Sequence, residues 1–130
     1  MRNLIKQFKF KQMHKSRVEK LKYFVQLIDK ENTILDVGVE CQEYSPIDNF
    51  LEKNYEYPNR ITGLTISKNT NSFEEKYPLI DIISYDGQNF PFDDDSFDIV
   101  YSNAVIEHVG NYNTRASFKH YFNNIINIIA

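Results

Sequence analysis

Hydrophobic residues along this chain fall into four short runs that are separated by stretches with helical spacing. The runs cover residues 33–38, 61–67, 79–83 and 97–102. The first, third and fourth runs are mainly apolar, and the second is rich in β-branched residues. Such short runs between turn residues are typical of strands in a parallel sheet. Strands that alternate with helices in this way predict an α/β fold.

The first helix is predicted from a capping pattern near the start of the chain. Ser16 and Glu19 stand in the order of a capping box, in which a hydroxyl and a carboxylate bind unpaired N–H groups of the first turn. Apolar residues recur at helical spacing after them, so we expect a helix over residues 17–30. Residues 1–15 show only a weak helical pattern among lysines, which leaves their structure open.

Three further helices are expected between and after the strands. Pro46 follows Ser45, a good N-cap residue, and this pair predicts a crossover helix over residues 45–52. Residues 69–76 predict a brief polar helix. Residues 117–130 carry a wide apolar stripe at helical spacing, which predicts a strongly amphipathic crossover helix.

Composition limits the class of protein. The 130 residues are 42% hydrophobic and 25% charged, which is typical of one soluble globular domain. The single cysteine, Cys41, excludes a disulfide within the chain and a cysteine-based zinc site. The sequence shows neither a membrane-spanning apolar run nor a signal peptide, so a reducing, cytoplasmic setting is expected.

Charge is distributed unevenly between the two parts of the chain. Residues 1–30 carry a net charge of +7, whereas residues 31–130 carry −10. The basic segment is suited to a phosphate-bearing partner or an anionic lipid surface, or it is a solvated helix face beside an acidic body. We favour the second interpretation, because the acidic part repels polyanions and no aromatic residues are interleaved with basic ones at a spacing typical of nucleic-acid binding. Neither nucleic acid nor a membrane is therefore expected as a partner.

Residues with useful chemistry concentrate between positions 86 and 109, which read DGQNFPFDDDSFDIVYSNAVIEHV. The third and fourth predicted strands both end in this region, and in a parallel sheet both ends open on one edge. Ligands bind at that edge in open α/β sheets. The three aspartates at 93–95 have no histidine or further acid at ligand spacing, so we expect no metal site.

This order of residues resembles the class I S-adenosylmethionine-dependent methyltransferases, in particular the small-molecule, type 11-like group. In that group D-[AG]-x-x-[LF]-P-F-x-D-x-S-F-D-x-V follows the third strand and S-x-x-[VL]-[LI]-E-H follows the fourth. The resemblance covers residues 17–130. It implies a Rossmann-like, doubly wound parallel sheet with strand order 3-2-1-4, helices on both faces and an N-terminal helix.

The resemblance also implies a division of the chain. Residues 1–30 would form a basic helical segment, and residues 31–130 the N-terminal part of a methyltransferase domain. Family members continue into a fifth strand, so the chain is expected to be truncated after the fourth strand-helix unit. The fourth strand would then be an edge, which a partner chain or a second copy is expected to cover.

The family's cofactor is S-adenosylmethionine, and the resemblance implies which residues would bind the cofactor and which would face the methyl acceptor. Asp86 is expected to accept a hydrogen bond from the adenine amine, although an aspartate before a glycine is also a common turn residue. His108 is the candidate general base toward a small-molecule methyl acceptor, or else it stabilises its loop together with Glu107. The cofactor-binding residues that the resemblance implies are Asp36, Gly38, Thr65, Asp86, Gly87, Gln88, Ser102 and Asn103.

Three positions depart from the family pattern. Glu40 and Gln42 stand where D-x-G-x-G-x-G has its second and third glycines, and Thr65 stands where an acid binds both ribose hydroxyls. Glu40 would need either to avoid left-handed backbone or to accept its cost, which for a non-glycine residue is on the order of 1 kcal/mol or more. Two functions stay open: a methyltransferase, or a non-catalytic remnant or partner-binding module of the same fold.

Overall fold

Four parallel strands form a single sheet in the computed structural model, which describes residues 1–102. The strands are β1 (Ile34–Val37), β2 (Ile61–Thr65), β3 (Asp81–Ser84) and β4 (Ile99–Ser102). Their order across the sheet is β3-β2-β1-β4, and every neighbouring pair is parallel. The predicted partial Rossmann-like sheet is therefore confirmed.

In the part of the chain that the structure describes, three α-helices and one 3-10 turn accompany the strands. The helices are α1 (Arg2–Leu27), α2 (Phe50–Asn54) and α3 (Asn71–Lys76), and the 3-10 turn is Pro58–Arg60. Within residues 1–102, no helix combines the length and the apolar character that crossing a membrane requires. The helix predicted over residues 117–130 lies outside the described residues.

The prediction that the first helix starts after Ser16 is wrong. Helix α1 begins at Arg2 and passes through Ser16 without a break, so the capping-box pattern lies within the helix. The first 15 residues contain neither glycine nor proline and are rich in lysine and glutamine. These residues favour helix even where no apolar stripe marks it. The helix ends at Leu27, where Ile28 becomes extended.

The prediction for the first crossover helix is also only partly right. Residues 46–49 form a turn, and α2 begins at Phe50. The Asp48 carboxylate accepts hydrogen bonds from the backbone N–H groups of Tyr44 and Ser45, at 2.8 and 2.9 Å. Asn49 then takes left-handed backbone with φ of 51°. This local arrangement replaces the first turn of the expected helix.

The core lies on both faces of the sheet. On one face, each helix contributes a buried anchor, namely Phe24 of α1, Leu51 of α2 and Phe73 of α3. The other face is a smaller cluster formed by Leu35, Val37, Leu64 and Val100, with partly buried aromatic residues of the 85–97 segment packed against it. Both faces of β1 and β4 are thereby buried, which explains their continuous hydrophobicity.

Candidate functional site

The carboxyl ends of β1, β2 and β3 border one cavity of about 840 Å³. This volume lies within the range of small-molecule sites, roughly 300–1,000 Å³. Segments that directly follow the three strands supply almost the whole lining, as a parallel sheet requires. The lining residues are Gly38, Val39, Glu40, Cys41, Gln42, Tyr44, Thr65, Ile66, Ser67, Tyr85, Asp86 and Gly87.

The turn after β1 depends on Gly38 and on a clamp that the sequence did not reveal. Gly38 has φ of 94°, and its N–H donates to the carbonyl of Leu64 at 2.8 Å. Of the two alternatives for Glu40, the structure shows the first: Glu40 avoids left-handed backbone, while Asn49 takes that conformation. The Asn49 side chain accepts from the Glu40 N–H at 2.8 Å and donates to the Glu40 carbonyl at 2.7 Å. Asn49 therefore holds the loop where the family has glycine.

Close packing brings this loop against β2. A Cβ atom on Gly63 would lie 3.0 Å from Cγ2 of Val39, which is tighter than most Cβ contacts in proteins and would require Val39 to shift by a few tenths of an ångström. Val39 is 5% exposed and belongs to the core. Gly63 therefore lets the loop after β1 pack closely against β2 without displacing Val39.

Glu43 fixes the far end of the loop to both neighbouring helices. Its carboxylate accepts hydrogen bonds from Lys53 and Lys76, with N–O distances of 2.7 and 2.8 Å, and from the Tyr77 hydroxyl. Burial by itself raises the pKa of Glu43, but these hydrogen bonds outweigh it and lower the pKa to about 2. The carboxylate is thus ionised at neutral pH and ties the loop to α2 and α3.

Thr65 lies at the end of β2, at the edge of the large cavity. It is 2% exposed, and its hydroxyl oxygen accepts from the Ser67 N–H at 3.1 Å. The Cys41 thiol lies 3.7 Å from the same oxygen. A threonine hydroxyl has limited further capacity, so it replaces at most one of two hydrogen bonds that a carboxylate offers.

Asp86 and Gly87 form the turn after β3. One Asp86 oxygen accepts from the backbone N–H groups of Gln88 and Asn89, at 2.8 and 2.7 Å, and the other accepts from the Asn89 side chain. These hydrogen bonds, the Asn89 N–H first, lower the pKa of Asp86. Gly87 has φ of 83°. The turn role of Asp86 is thus established, and Asp86 lines the same cavity as Gly38.

A second, smaller cavity of about 70 Å³ lies beside the Gly38 turn and is bordered by Asp36. Asp36 and Glu52 of α2 are both buried, at 7% and 5% exposure. Burial, and next the charge of Glu52, raise the pKa of Asp36, while burial raises that of Glu52. Neither oxygen of Glu52 has a hydrogen-bond partner among residues 1–102. Sequence analysis missed Glu52, although a charge beside Leu51 on a sheet-facing helix was a signal.

The remaining predicted site residues are Ser102 at the end of β4, Gln88 after the Asp86 turn, and two residues that follow Ser102 in the sequence. Ser102 is buried, and its hydroxyl has no hydrogen-bond partner in the described part of the chain. Gln88 follows Gly87 and is exposed. Asn103 and His108 lie outside the described residues. Among residues 1–102, no group of three or more histidine, cysteine or acidic side chains is placed to hold a metal.

Solved structures with the same fold are numerous. An S-adenosylmethionine-dependent methyltransferase from Aquifex aeolicus is 17% identical with a TM-score of 0.55, and 83% of this chain matches 63% of that one. YcgJ from Bacillus subtilis is 17% identical with a TM-score of 0.54, over 75% of this chain and 42% of that one. The [4+2]-cyclase SpnF is 19% identical with a TM-score of 0.52, over 68% of this chain and 34% of that one. These likenesses establish the fold, and the chain spans less than two-thirds of each.

Sequence comparison identifies the family. A search of curated proteins found no match. The pattern of the methyltransferase domain family, in contrast, matches residues 36–125, which is well over half of the chain. This range contains the Gly38 turn, β2, the Asp86 turn and β4, and the resemblance read from the sequence is thereby confirmed. The chain belongs to the methyltransferase domain family.

Proposed function

We propose that this chain binds S-adenosylmethionine in the 840 Å³ cavity and transfers its methyl group to a small-molecule acceptor. One observation carries the proposal: the Gly38 turn, Thr65 and the Asp86 turn border a single cavity although they lie far apart in the sequence. Membership of the methyltransferase domain family supports the same reaction.

The residues present fit the cofactor in size and in most of their chemistry. The cavity has room for a nucleoside, and Asp86 keeps unused acceptor capacity after its three hydrogen bonds. Gly38 has the left-handed backbone that permits close approach of a ligand. Thr65 is the weaker element, because it replaces a carboxylate that would bind both ribose hydroxyls.

The chain's own contribution is mainly positioning. S-adenosylmethionine, when bound, supplies a methyl group attached to a positively charged sulfur, which is a good leaving group. Asp86 would orient the adenine, Thr65 would give the ribose one hydrogen bond, and Ser102 and Asn103 would border the methionine part. His108 would accept a proton from an acceptor hydroxyl or amine. Alignment and exclusion of water supply most of the rate.

A second candidate, a non-catalytic binding module, is favoured by two details of the same cavity. Thr65 already uses its hydroxyl to accept from Ser67. Glu40 is exposed and lines the cavity, where its charge opposes a cofactor carboxylate. Both details weaken cofactor binding, so the measured affinity for the cofactor is the property that best distinguishes the two functions.

Calorimetric titration with S-adenosylhomocysteine separates the two functions. We expect micromolar binding by the wild-type chain and a loss of about tenfold to a hundredfold for Asp86→Asn, because a charge-assisted hydrogen bond contributes about 1.5–3 kcal/mol. Asparagine retains the oxygen that accepts from Gln88 and Asn89, so the turn is preserved. Asp94→Asn is the matched control, since Asp94 is exposed and does not line the cavity.

Alkylation of Cys41 gives an independent readout of the same binding event. Cys41 is the only cysteine, is half-buried and lines the cavity, so bound S-adenosylhomocysteine should slow its reaction with iodoacetamide. Absence of heat at millimolar ligand, together with unprotected Cys41, would overturn the enzyme proposal and favour the binding module.

We also propose that residues 31–130 form the first part of the methyltransferase domain, after a basic helical segment at residues 1–30. The family match begins at residue 36, which is compatible with this division. A partner chain or a second copy against β4 belongs to the same proposal. Crosslinking of the purified protein, followed by mass measurement, tests for a second copy.

A further inference from the structure

The large cavity carries an unbalanced negative charge. Among the described residues that line it, Glu40 and Asp86 are acidic, and none is a lysine, an arginine or a histidine. Arg17 borders the small cavity beside Asp36 and does not line the large one. Hydrogen bonds, the Asn89 N–H first, lower the pKa of Asp86, so its carboxylate stays ionised at neutral pH. The lining therefore complements a ligand group with positive charge.

The Glu40 carboxylate has no partner among residues 1–102. Asn49 binds the backbone N–H and carbonyl of Glu40, whereas the side chain makes no hydrogen bond or ion pair in this part of the chain. Burial, and next the charge of Asp48, raise the pKa of Glu40, which is the opposite of what a neighbouring cation does. Glu43, by contrast, is paired with two lysines. Glu40 is thus the acid of this loop that is free to interact with a ligand.

Two tyrosine rings line the same cavity as Glu40. Tyr44 is 83% exposed, and its hydroxyl donates to the side-chain oxygen of Gln42 at 3.0 Å, within the loop after β1. Tyr85 stacks on Phe90 with ring centroids 5.5 Å apart. Aromatic rings attract cationic ligand groups through their quadrupole, and a carboxylate beside them adds its charge. The aromatic and the acidic lining therefore favour the same kind of ligand.

We infer that Glu40 makes this site selective for the positively charged methyl donor over its neutral product. S-adenosylmethionine and S-adenosylhomocysteine share an ammonium group and a carboxylate, and they differ at the sulfur, which is a cation only in the donor. Glu40 repels the shared carboxylate in both ligands, but only the sulfonium offsets that repulsion. The inference rests on the proposed function and gives Glu40 a role in the choice between the two ligands. Such a site releases its product readily.

Calorimetry with three ligands of different charge tests the inference. S-adenosylmethionine and its stable analogue sinefungin, which has an ammonium group in place of the sulfonium, should bind the wild-type chain about threefold to tenfold more tightly than S-adenosylhomocysteine. Glu40→Gln should reduce this preference to within about twofold. The variant keeps the backbone groups that Asn49 holds, so the loop is preserved. Glu75→Gln is the matched control, since Glu75 is exposed and does not line the cavity.

Charge reversal and salt provide two further readouts. Glu40→Lys should invert the preference, so that S-adenosylhomocysteine binds most tightly, and an ionic strength of about 0.5 M should weaken the wild-type preference. A wild-type chain that binds the product as tightly as both cations, or a preference that survives in Glu40→Gln, would overturn the inference and leave the proposed function intact. A wild-type chain that binds none of the three ligands would overturn both.

Discussion

At the scale of single residues, Asn49 decides the shape of the candidate site. It takes left-handed backbone, which asparagine tolerates better than most residues, and its amide group pairs with both the N–H and the carbonyl of Glu40. In addition, its amide donates to the Glu43 carboxylate at 3.1 Å. One side chain thus holds a loop whose glycines are replaced by Glu40 and Gln42.

Replacement of Asn49 should therefore destabilise the protein through two separable effects, the loss of hydrogen bonds and the strain of left-handed backbone. Asn49→Ala loses the amide hydrogen bonds and also puts alanine, which has no polar side chain to stabilise it there, in left-handed backbone. We therefore expect a loss of about 2–4 kcal/mol in the free energy of unfolding. Asn49→Gly keeps the favourable backbone and should lose only about 1–2 kcal/mol. Urea denaturation of both variants measures the difference, and equal losses would contradict the backbone part.

At the scale of elements, α1 is anchored by its second half. Phe24 is fully buried and packs against Tyr101 with ring centroids 4.9 Å apart. In the first half, Leu4 and Phe8 are 69% and 62% exposed. The helix therefore depends on the sheet near residue 24 and on intrinsic helix propensity near its start.

Matched phenylalanine truncations test this asymmetry. Phe24→Ala opens a cavity in the core and should cost about 3–5 kcal/mol of unfolding free energy. Phe8→Ala removes the same atoms from an exposed site and should change stability by no more than about 0.5 kcal/mol. Thermal and urea denaturation measure both variants, and comparable losses would show that the first half of α1 is also packed.

At the scale of the whole molecule, the pKa values of two acidic groups around the site are shifted in opposite directions. The pKa of Glu43 is lowered to about 2 by its cationic and hydroxyl partners, against the effect of burial. Burial raises the pKa of Glu52, and no cation in the described part of the chain fully offsets this rise. The ionised Glu43 therefore stabilises the folded protein above its ordinary pKa of 4.5, and this stabilisation is lost as pH falls toward 2. Glu52 has the opposite effect, because its ionisation destabilises the folded protein as pH rises above 4.5.

The two glutamine variants should therefore give stability differences of opposite sign. Glu43→Gln should be less stable than wild type by about 1–2 kcal/mol at pH 7, with the difference shrinking toward pH 3. Glu52→Gln should gain stability relative to wild type as pH rises from about 4.5 to 8, because no buried charge has to form. Urea denaturation across this pH range checks both, and parallel pH curves for all three proteins would contradict the assignment.

The candidate site shows why sequence analysis reached some of its residues and missed others. Gly38, Thr65 and Asp86 each directly follow a strand, so their place at one edge follows from the parallel sheet. Glu52 and Asn49 lie near the start of α2, and their side chains reach the site only because the 46–49 turn shifts the start of that helix to Phe50. Local hydrogen bonds set that shift, and hydrophobic periodicity does not record them.

The sequence by itself determined the four parallel strands, their order through the family resemblance, and the edge where ligand-binding residues gather. It could do so because burial on both faces forces continuous apolar runs and a parallel sheet aligns their carboxyl ends. Only the tertiary structure decided that α1 begins at Arg2, that Asn49 replaces glycine as the loop's support, and that Arg17 borders the Asp36 cavity. The first feature follows from helix propensity without an apolar stripe, the second from side-chain hydrogen bonds within one loop, and the third from the packing of α1 against the sheet. Hydrophobic periodicity records none of these three causes.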